Sequence, residues 1–229
     1  MNNNTPINLR IRFKKIGNLQ YISHLDLVRT MQKIIVRSAL PLWYTEGFNP
    51  KPKMVFAAPL SIGTQSVVEF MDLRLNEKID PAVAMAKLNA NMTDEMQVIE
   101  AYYPETKLTD LKWMTYTVEI FEENLSSELA DRINTAFLKE KIEVMKKGKK
   151  GESLVDIKPL IRSADAVFTG NSVRINALLS ADQSLFLNPE HIIKYLKNEC
   201  AILASDNLLS QGYTIMREEA YKEDMSIFR

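Results

Sequence analysis

His24 is the side chain whose setting in the sequence comes nearest to acid–base chemistry. It follows Ser23, a helix N-cap residue, and precedes Asp26, which makes a shorter-armed version of the capping box. At the first position of the helix so marked, an imidazole sits beside the positive helix end, which favours its neutral form. A neutral imidazole next to cations could act as a general base on an RNA 2′-hydroxyl. The plainer reading is a hydrogen bond to a neighbouring loop. His191 is far away in sequence, next to another helix start at Pro189-Glu190, and reads as a surface residue.

The second candidate is the loop Gly47-Phe48-Asn49-Pro50-Lys51-Pro52-Lys53. Gly47 supplies a position able to take a positive φ. Pro50 and Pro52 fix φ and remove two backbone donors, so the segment is excluded from a central strand. It is expected to be stiff, extended and exposed, displaying Lys51 and Lys53 with Phe48 and Tyr44 close by. A stiff display lowers the ordering cost of binding. Aromatics beside cations are what single-stranded nucleic acid uses for stacking and charge. A purely structural loop with Phe48 plugging the core would explain the prolines and the ring but not the lysines.

Charge is distributed to match. The chain has a formal net charge of zero, yet residues 1–60 hold nine Lys and Arg against Asp26 and Glu46, and residues 61–110 are acidic. Such asymmetry suggests a face turned toward a polyanion. Arg10 and Arg12 fall on the polar side of an alternating strand, and Arg29, Lys33 and Arg37 recur every four residues along one helix. The turn Lys146–Gly151, KKGKKG, is also basic, although paired lysines in a hairpin turn are usually just solvated.

Other chemistries find no support. Two distant histidines and Cys200 make neither a zinc spacing nor an H-E-x-x-H helix, and a lone cysteine excludes an internal disulfide. G-x-G-x-x-G, the P-loop pattern and G-x-S-x-G are all absent. No cofactor or metal is expected. The opening MNNNTPINLRIRF has no apolar h-region, and no apolar run approaches the ~18 residues of a membrane helix, so a cytoplasmic protein with no membrane contact is the default.

The elements that must position these residues follow from periodicity. Residues 7–13 alternate as a strand, and a helix runs from Ser23 to about Ser38 with an apolar stripe of Leu25, Val28, Met31 and Ile35, widened by Leu27 and Ile34. Leu42–Tyr44 reads as a short strand, Met54–Leu60 as a further strand piece, and Val67–Leu75 as a clean alternation. Asp80-Pro81 opens a helix to about Asn91, and a strand covers Met96–Tyr102. Residues 105–112 are a polar connector. The order then repeats: strand 113–121, helix 126–139, strands 142–146, 153–161 and 172–179, helix 188–198, strand 213–220. Strand-helix-strand-strand-helix-strand is the ferredoxin-like split βαβ pattern, so the expected fold is α+β with tandem ferredoxin-like domains at 1–104 and 113–229. A single continuous α+β domain is the other reading.

The stretch YISHLDLVRTMQKIIVRSALPLWYTEGFNPKPKMVFAAPLSIG, Tyr21 to Gly63, resembles the signature of a bacterial radical-SAM-associated family of proteins of unknown function, and VDIKPLI, Val155 to Ile161, fits the same family. The resemblance implies a radical SAM protein with a B12-binding domain as partner. It also implies an RNA or ribosome setting, because stand-alone members are encoded beside that protein, a ribonuclease E/G-type enzyme and ribosomal protein genes. Family members often carry His between the two prolines, where this chain has Lys51, so proton transfer or metal binding does not carry over to that position. The chain lacks C-x-x-x-C-x-x-C and cannot hold a radical SAM cluster itself.

The expectation is a non-enzymatic accessory protein that binds RNA or presents an RNA- or ribosome-related substrate. Arg10, Arg12, Arg29, Lys33, Arg37, Lys51 and Lys53 would contact phosphates, with Tyr44 or Phe48 stacking. A metal-independent endoribonuclease using His24 and a protein-docking adaptor without RNA contact are the alternatives.

Overall fold

Alternation of apolar and polar residues makes Ile7–Lys15 the first strand, β1, with Leu9, Ile11 and Phe13 wholly buried on one face. The computed structural model describes residues 5–123, 125–148, 151–207 and 209–229. It is an α+β protein whose chain divides into two units, Met1–Leu111 with Ser226–Arg229, and Lys112–Met225.

In unit 1, β1 is followed by α1 (His24–Arg37), β2 (Met54–Phe56), β3 (Thr64–Leu75), α2 (Pro81–Asn89) and β4 (Val98–Tyr102). β1 pairs antiparallel with both β3 and β4. Residues 71–73 of β3 pair with β1 on one side and with β2 on the other, so the strand order is β4-β1-β3-β2. Ser23 caps α1: its hydroxyl accepts from the Asp26 amide at 3.1 Å and donates to the Asp26 carboxylate at 2.7 Å, an arrangement that contributes about 1 kcal/mol. Asp80 caps α2, accepting from Ala82 at 2.8 Å with Pro81 at the first helical position. Leu27, Met31, Ile34 and Ile35 of α1 and Ala84 and Leu88 of α2 close over Leu9, Ile11, Phe13, Met71, Leu73 and Leu75. Each such large side chain contributes roughly 1.5–3 kcal/mol by leaving water.

Unit 2 contains β5 (Trp113–Phe121), α3 (Ser127–Phe137), β6 (Glu143–Gly148), β7 (Gly151–Asp156), β8 (Ile161–Phe168), β9 (Val173–Ser180), α4 (Glu190–Cys200) and β10 (Gly212–Tyr221). Its sheet has the order β10-β5-β9-β8, every pair antiparallel. The β6–β7 hairpin stands apart as a two-stranded sheet, between α3 and β8 in the chain. Met114, Tyr116, Val118 and Ile120 alternate into the core. The Asn134 amide brackets Ala166 with bonds of 2.9 and 2.8 Å, tying α3 to β8.

Several expectations need correction. Leu25 is exposed rather than part of the core stripe, because it lies about 200° around the helix from Leu27 and α1 turns the Leu27–Met31–Ile34 side inward. Leu42–Tyr44 forms only isolated bridges, Leu42 to Leu75 and Tyr44 to Pro52, and the strand expected at Met54–Leu60 stops at Phe56. Residues 153–161 are not one strand: a 3₁₀ turn at Lys158–Leu160, containing Pro159, separates β7 from β8. β8 escaped notice because, as an outer strand, IRSADAVF has one buried residue, Ala166, and no apolar run. The connector is not simply polar, since Leu108 and Leu111 are buried. Lys149 and Lys150 of the expected basic turn lie outside the described residues.

Arg10 is the largest correction. It is completely buried, its Nε donating to Asp72 at 2.7 Å and a terminal nitrogen reaching the other Asp72 oxygen at 3.1 Å. Thr106 accepts from the same guanidinium through its hydroxyl at 2.8 Å and its carbonyl at 3.1 Å. A guanidinium so used cannot reach a phosphate. Removing one partner of a buried pair strands the other charge, so Asp72→Ala is expected to cost about 3–5 kcal/mol, whereas Leu25→Ala stays within about 0.5 kcal/mol. Urea unfolding of the whole chain measures both, and equal small losses would show that the pair contributes nothing.

Candidate nucleic-acid interface

Between Leu42 and Lys53 the chain makes a narrow hairpin on the edge of unit 1. Thr45 donates from its amide to the Lys51 carbonyl at 2.8 Å, and the Lys53 amide donates to the Trp43 carbonyl at 3.0 Å. The stem is anchored to β3, where Arg74 accepts from Trp43 at 2.8 Å and donates to Lys53 at 3.1 Å. Successive amides of an extended chain point to opposite sides. Lys51 and Lys53 donate inward, Lys51 to the Thr45 hydroxyl at 3.1 Å, while Pro50 and Pro52 occupy the outward positions, where an N–H would be left unpaired. The prolines thereby stiffen the hairpin and close its outer edge to further strand pairing.

The tip turns at Gly47, with φ +121°, a conformation that L side chains rarely adopt. Phe48 follows, and its relative exposure is 109%. This excludes the core-plug reading of Phe48. Tyr44, Lys51 and Lys53 are also exposed, so all four hairpin residues singled out in the sequence are displayed together.

On α1, Arg29, Lys33 and Arg37 are exposed and line a shallow depression with Gln32 and Val36. Arg29 pairs with Asp26 at 3.3 Å, an exposed i,i+3 contact worth little. His24, also exposed, sets its ring edge-on to Phe56 at 5.4 Å and 75°. That contact places the start of α1 against β2, the strand into which the hairpin leads. Arg29, Lys33 and Arg37 lie about 140–220° around the helix from His24, so the ridge faces a different side of α1 from that contact.

Arg12 lies elsewhere. It alternates with Leu9, Ile11 and Phe13, so it shares the side of the sheet opposite α1, as does Arg10. The nine proposed RNA-contacting residues therefore divide among a hairpin, a helix and a sheet face. On that sheet face the sequence reading missed several participants. Phe70 pairs in register with Arg12, and Tyr102 of β4 with Arg10. Burial pushes the Tyr102 phenol up to about 12, against the opposing pull of Arg10. Alternation of residues 67–75 did put Phe70 and Asp72 on one side of β3, and that was the usable signal; nothing local revealed what covers them.

His191 is partly buried rather than a plain surface residue. Burial, followed by the charges of Lys146 and Lys194, lowers its pKa, and no group among the described residues hydrogen-bonds its Nδ1. Among the described residues no group of three or more His, Cys, Asp or Glu could hold a metal ion. None of their helices is long and apolar enough to cross a membrane.

Residues 8–189 match a single family model, which spans most of both units. The chain belongs to a family of uncharacterized proteins conserved in bacteria (DUF2344). No curated protein matches it. Among solved structures, it is similar to a chain of a Cbf5-Nop10-Gar1 complex at 11% identity and TM-score 0.50, over 94% of this chain and 50% of that one. It thus spans half the length of that chain, and at such identity the likeness concerns the fold alone. An unknown protein from Galdieria sulphuraria aligns at 10% identity over 93% of this chain and 99% of that one, with a TM-score of 0.26.

The exposure of Phe48 yields a direct check. Phe48→Ser is expected to leave unfolding by urea unchanged within about 0.5 kcal/mol, while a ring packed in the core would cost roughly 3–5 kcal/mol on truncation. A loss of the larger size would return the hairpin to a structural role.

Proposed function

We propose that this protein is a non-enzymatic accessory protein that binds single-stranded RNA through the Tyr44–Lys53 hairpin and the basic ridge of α1. The observation that carries this reading is Phe48, a fully exposed aromatic ring held at the tip of a proline-stiffened hairpin between exposed Tyr44 and Lys51. An exposed ring loses water on stacking against a base, contributing about 1–3 kcal/mol, and the flanking ammonium groups meet phosphates. Arg29, Lys33 and Arg37 extend the cationic surface along α1. Arg10 plays no direct part, and Arg12 belongs to a different face.

Both units read best as ferredoxin-like, because, with the separate β6–β7 hairpin set aside, the strand positions repeat as fourth, first, third, second in each unit. The resemblance to radical-SAM-associated proteins supports a radical SAM, B12-binding partner in the cytoplasm, to which this chain would bring an RNA- or ribosome-related substrate. A docking adaptor without RNA contact would use the same cations on protein carboxylates. An endoribonuclease using His24 would rely on the exposed imidazole at the start of α1. RNA cleavage in EDTA that disappears in His24→Ala would favour it over binding alone.

Filter binding of total RNA across a salt series tests the main reading. Binding is expected to weaken steeply with salt, and Lys51→Gln with Lys53→Gln should reduce the slope by roughly 0.7 for each phosphate left without its cation. Phe48→Ser should weaken binding about 5- to 150-fold, in line with the loss of one stacked base. Binding that is absent near physiological salt, or indifferent to all three substitutions, would sink the proposal.

A further inference from the structure

The sheet face of unit 1 that points away from α1 and α2 has an occupant of its own. Phe228 lies on it at 1% exposure, its ring perpendicular to Phe70 with centroids 4.9 Å apart. The Arg10 guanidinium sits 4.9 Å from the centroid of the same ring. Arg229 pairs with Glu100 and places its guanidinium 5.5 Å from the Tyr102 ring, and the Thr106 hydroxyl donates to the Arg229 carbonyl.

These contacts have a recognisable chemistry. A flat ring set against an aromatic and a guanidinium, and a cation over a phenol, are the contacts by which an open sheet takes up unstacked bases. Phe70 and Tyr102 stand on the two strands that flank β1, and Arg12 and Arg74 lie beside them on the same face. Ser226–Arg229 reaches this face from far along the chain, after β10, and sets one aromatic and one cationic side chain on it beside Thr106, which bonds Arg10 there.

We propose that this sheet face is a second single-stranded RNA site, built on Phe70 and Tyr102, and that the segment Ser226–Arg229 is its intramolecular competitor. Bases take the place of Phe228 and Arg229 when the segment lifts. The inference rests on the RNA-binding reading above and adds its regulation. The apparent affinity of such a site is reduced by the fraction of molecules in which it is open. A segment seated in about 90–99% of molecules therefore masks about 10- to 100-fold of affinity.

The test is fluorescence anisotropy of the full chain with a labelled oligouridine of about a dozen nucleotides, long enough to span one such sheet. Phe228→Ala combined with Arg229→Ala is expected to bind at least about 10-fold more tightly than the unaltered chain, and adding Phe70→Leu should abolish the gain. Arg229→Ala alone leaves the buried ring in place, guards against unfolding of the double variant, and should still show a gain of a few-fold. No gain in either variant, or a gain that survives Phe70→Leu, overturns the inference. Phe48-dependent binding that ignores positions 228 and 229 removes this site but keeps the hairpin reading. Failure of every form to bind RNA removes both, and a gain seen only for protein capture, with none for RNA, also counts against it.

Discussion

The buried pair of Arg10 and Asp72 is the constraint around which unit 1 is arranged. A guanidinium with no exposure must have its charge and donors met inside the protein, since moving an ion out of water costs several kcal/mol. Asp72 meets it from the neighbouring strand with two oxygens, Thr106 supplies two more acceptors, and the guanidinium carbon lies 4.9 Å from the Phe228 ring centroid. Asn8 adds a bond of 2.7 Å to the same carboxylate. Three separate parts of the chain are thus drawn to one point: β1 with β3, the segment after β4, and Ser226–Arg229. Polar groups in this position specify register as well as stability, because a one-residue slip of β1 would bring Leu9 or Ile11 opposite Asp72.

With β1 covered on both faces, its sides have different tasks. Leu9, Ile11 and Phe13 hold α1 and α2, and through α1 they set the direction of the basic ridge. The opposite side carries charge and aromatic groups under a covering segment. The hairpin needs neither side. It is a rigid projection from the edge, fixed by main-chain bonds to Arg74 and kept from pairing outward by its prolines. For the proposed binding such rigidity would matter, because a preformed display avoids the ordering cost that a flexible lysine-rich loop would incur.

Unit 2 repeats the strand order without repeating the chemistry. Its open side bears Thr115, Thr117, Glu119, Arg174 and Asn176, with Arg174 and Glu119 paired at 2.6 Å and Asn176 bonded to Asp165 at 3.0 Å. The Arg174 cation there is balanced by a carboxylate, and no aromatic ring among the described residues of the unit is as exposed as Phe48. The exposed ring and cations on which the proposed RNA reading rests therefore belong to unit 1.

Short-range rules were enough for much of this protein. Residue alternation marked β1 and the α+β order of elements, Ser23 and Asp80 marked two helix starts, and the proline spacing marked a stiff exposed hairpin, because each depends on neighbours within a few positions. The sequence also placed Arg29, Lys33 and Arg37 on one ridge, which helical geometry alone decides. The side of α1 that faces inward, the burial of Arg10 and the cover over Phe70 were decided only in the tertiary structure. Arg10 and Arg12 have the same alternation and the same side-chain type; they differ because Asp72, Thr106 and Phe228 converge on Arg10 from positions 62, 96 and 218 residues away. No local pattern carries contacts of that separation, so it took the folded chain to show that Arg10 is structural.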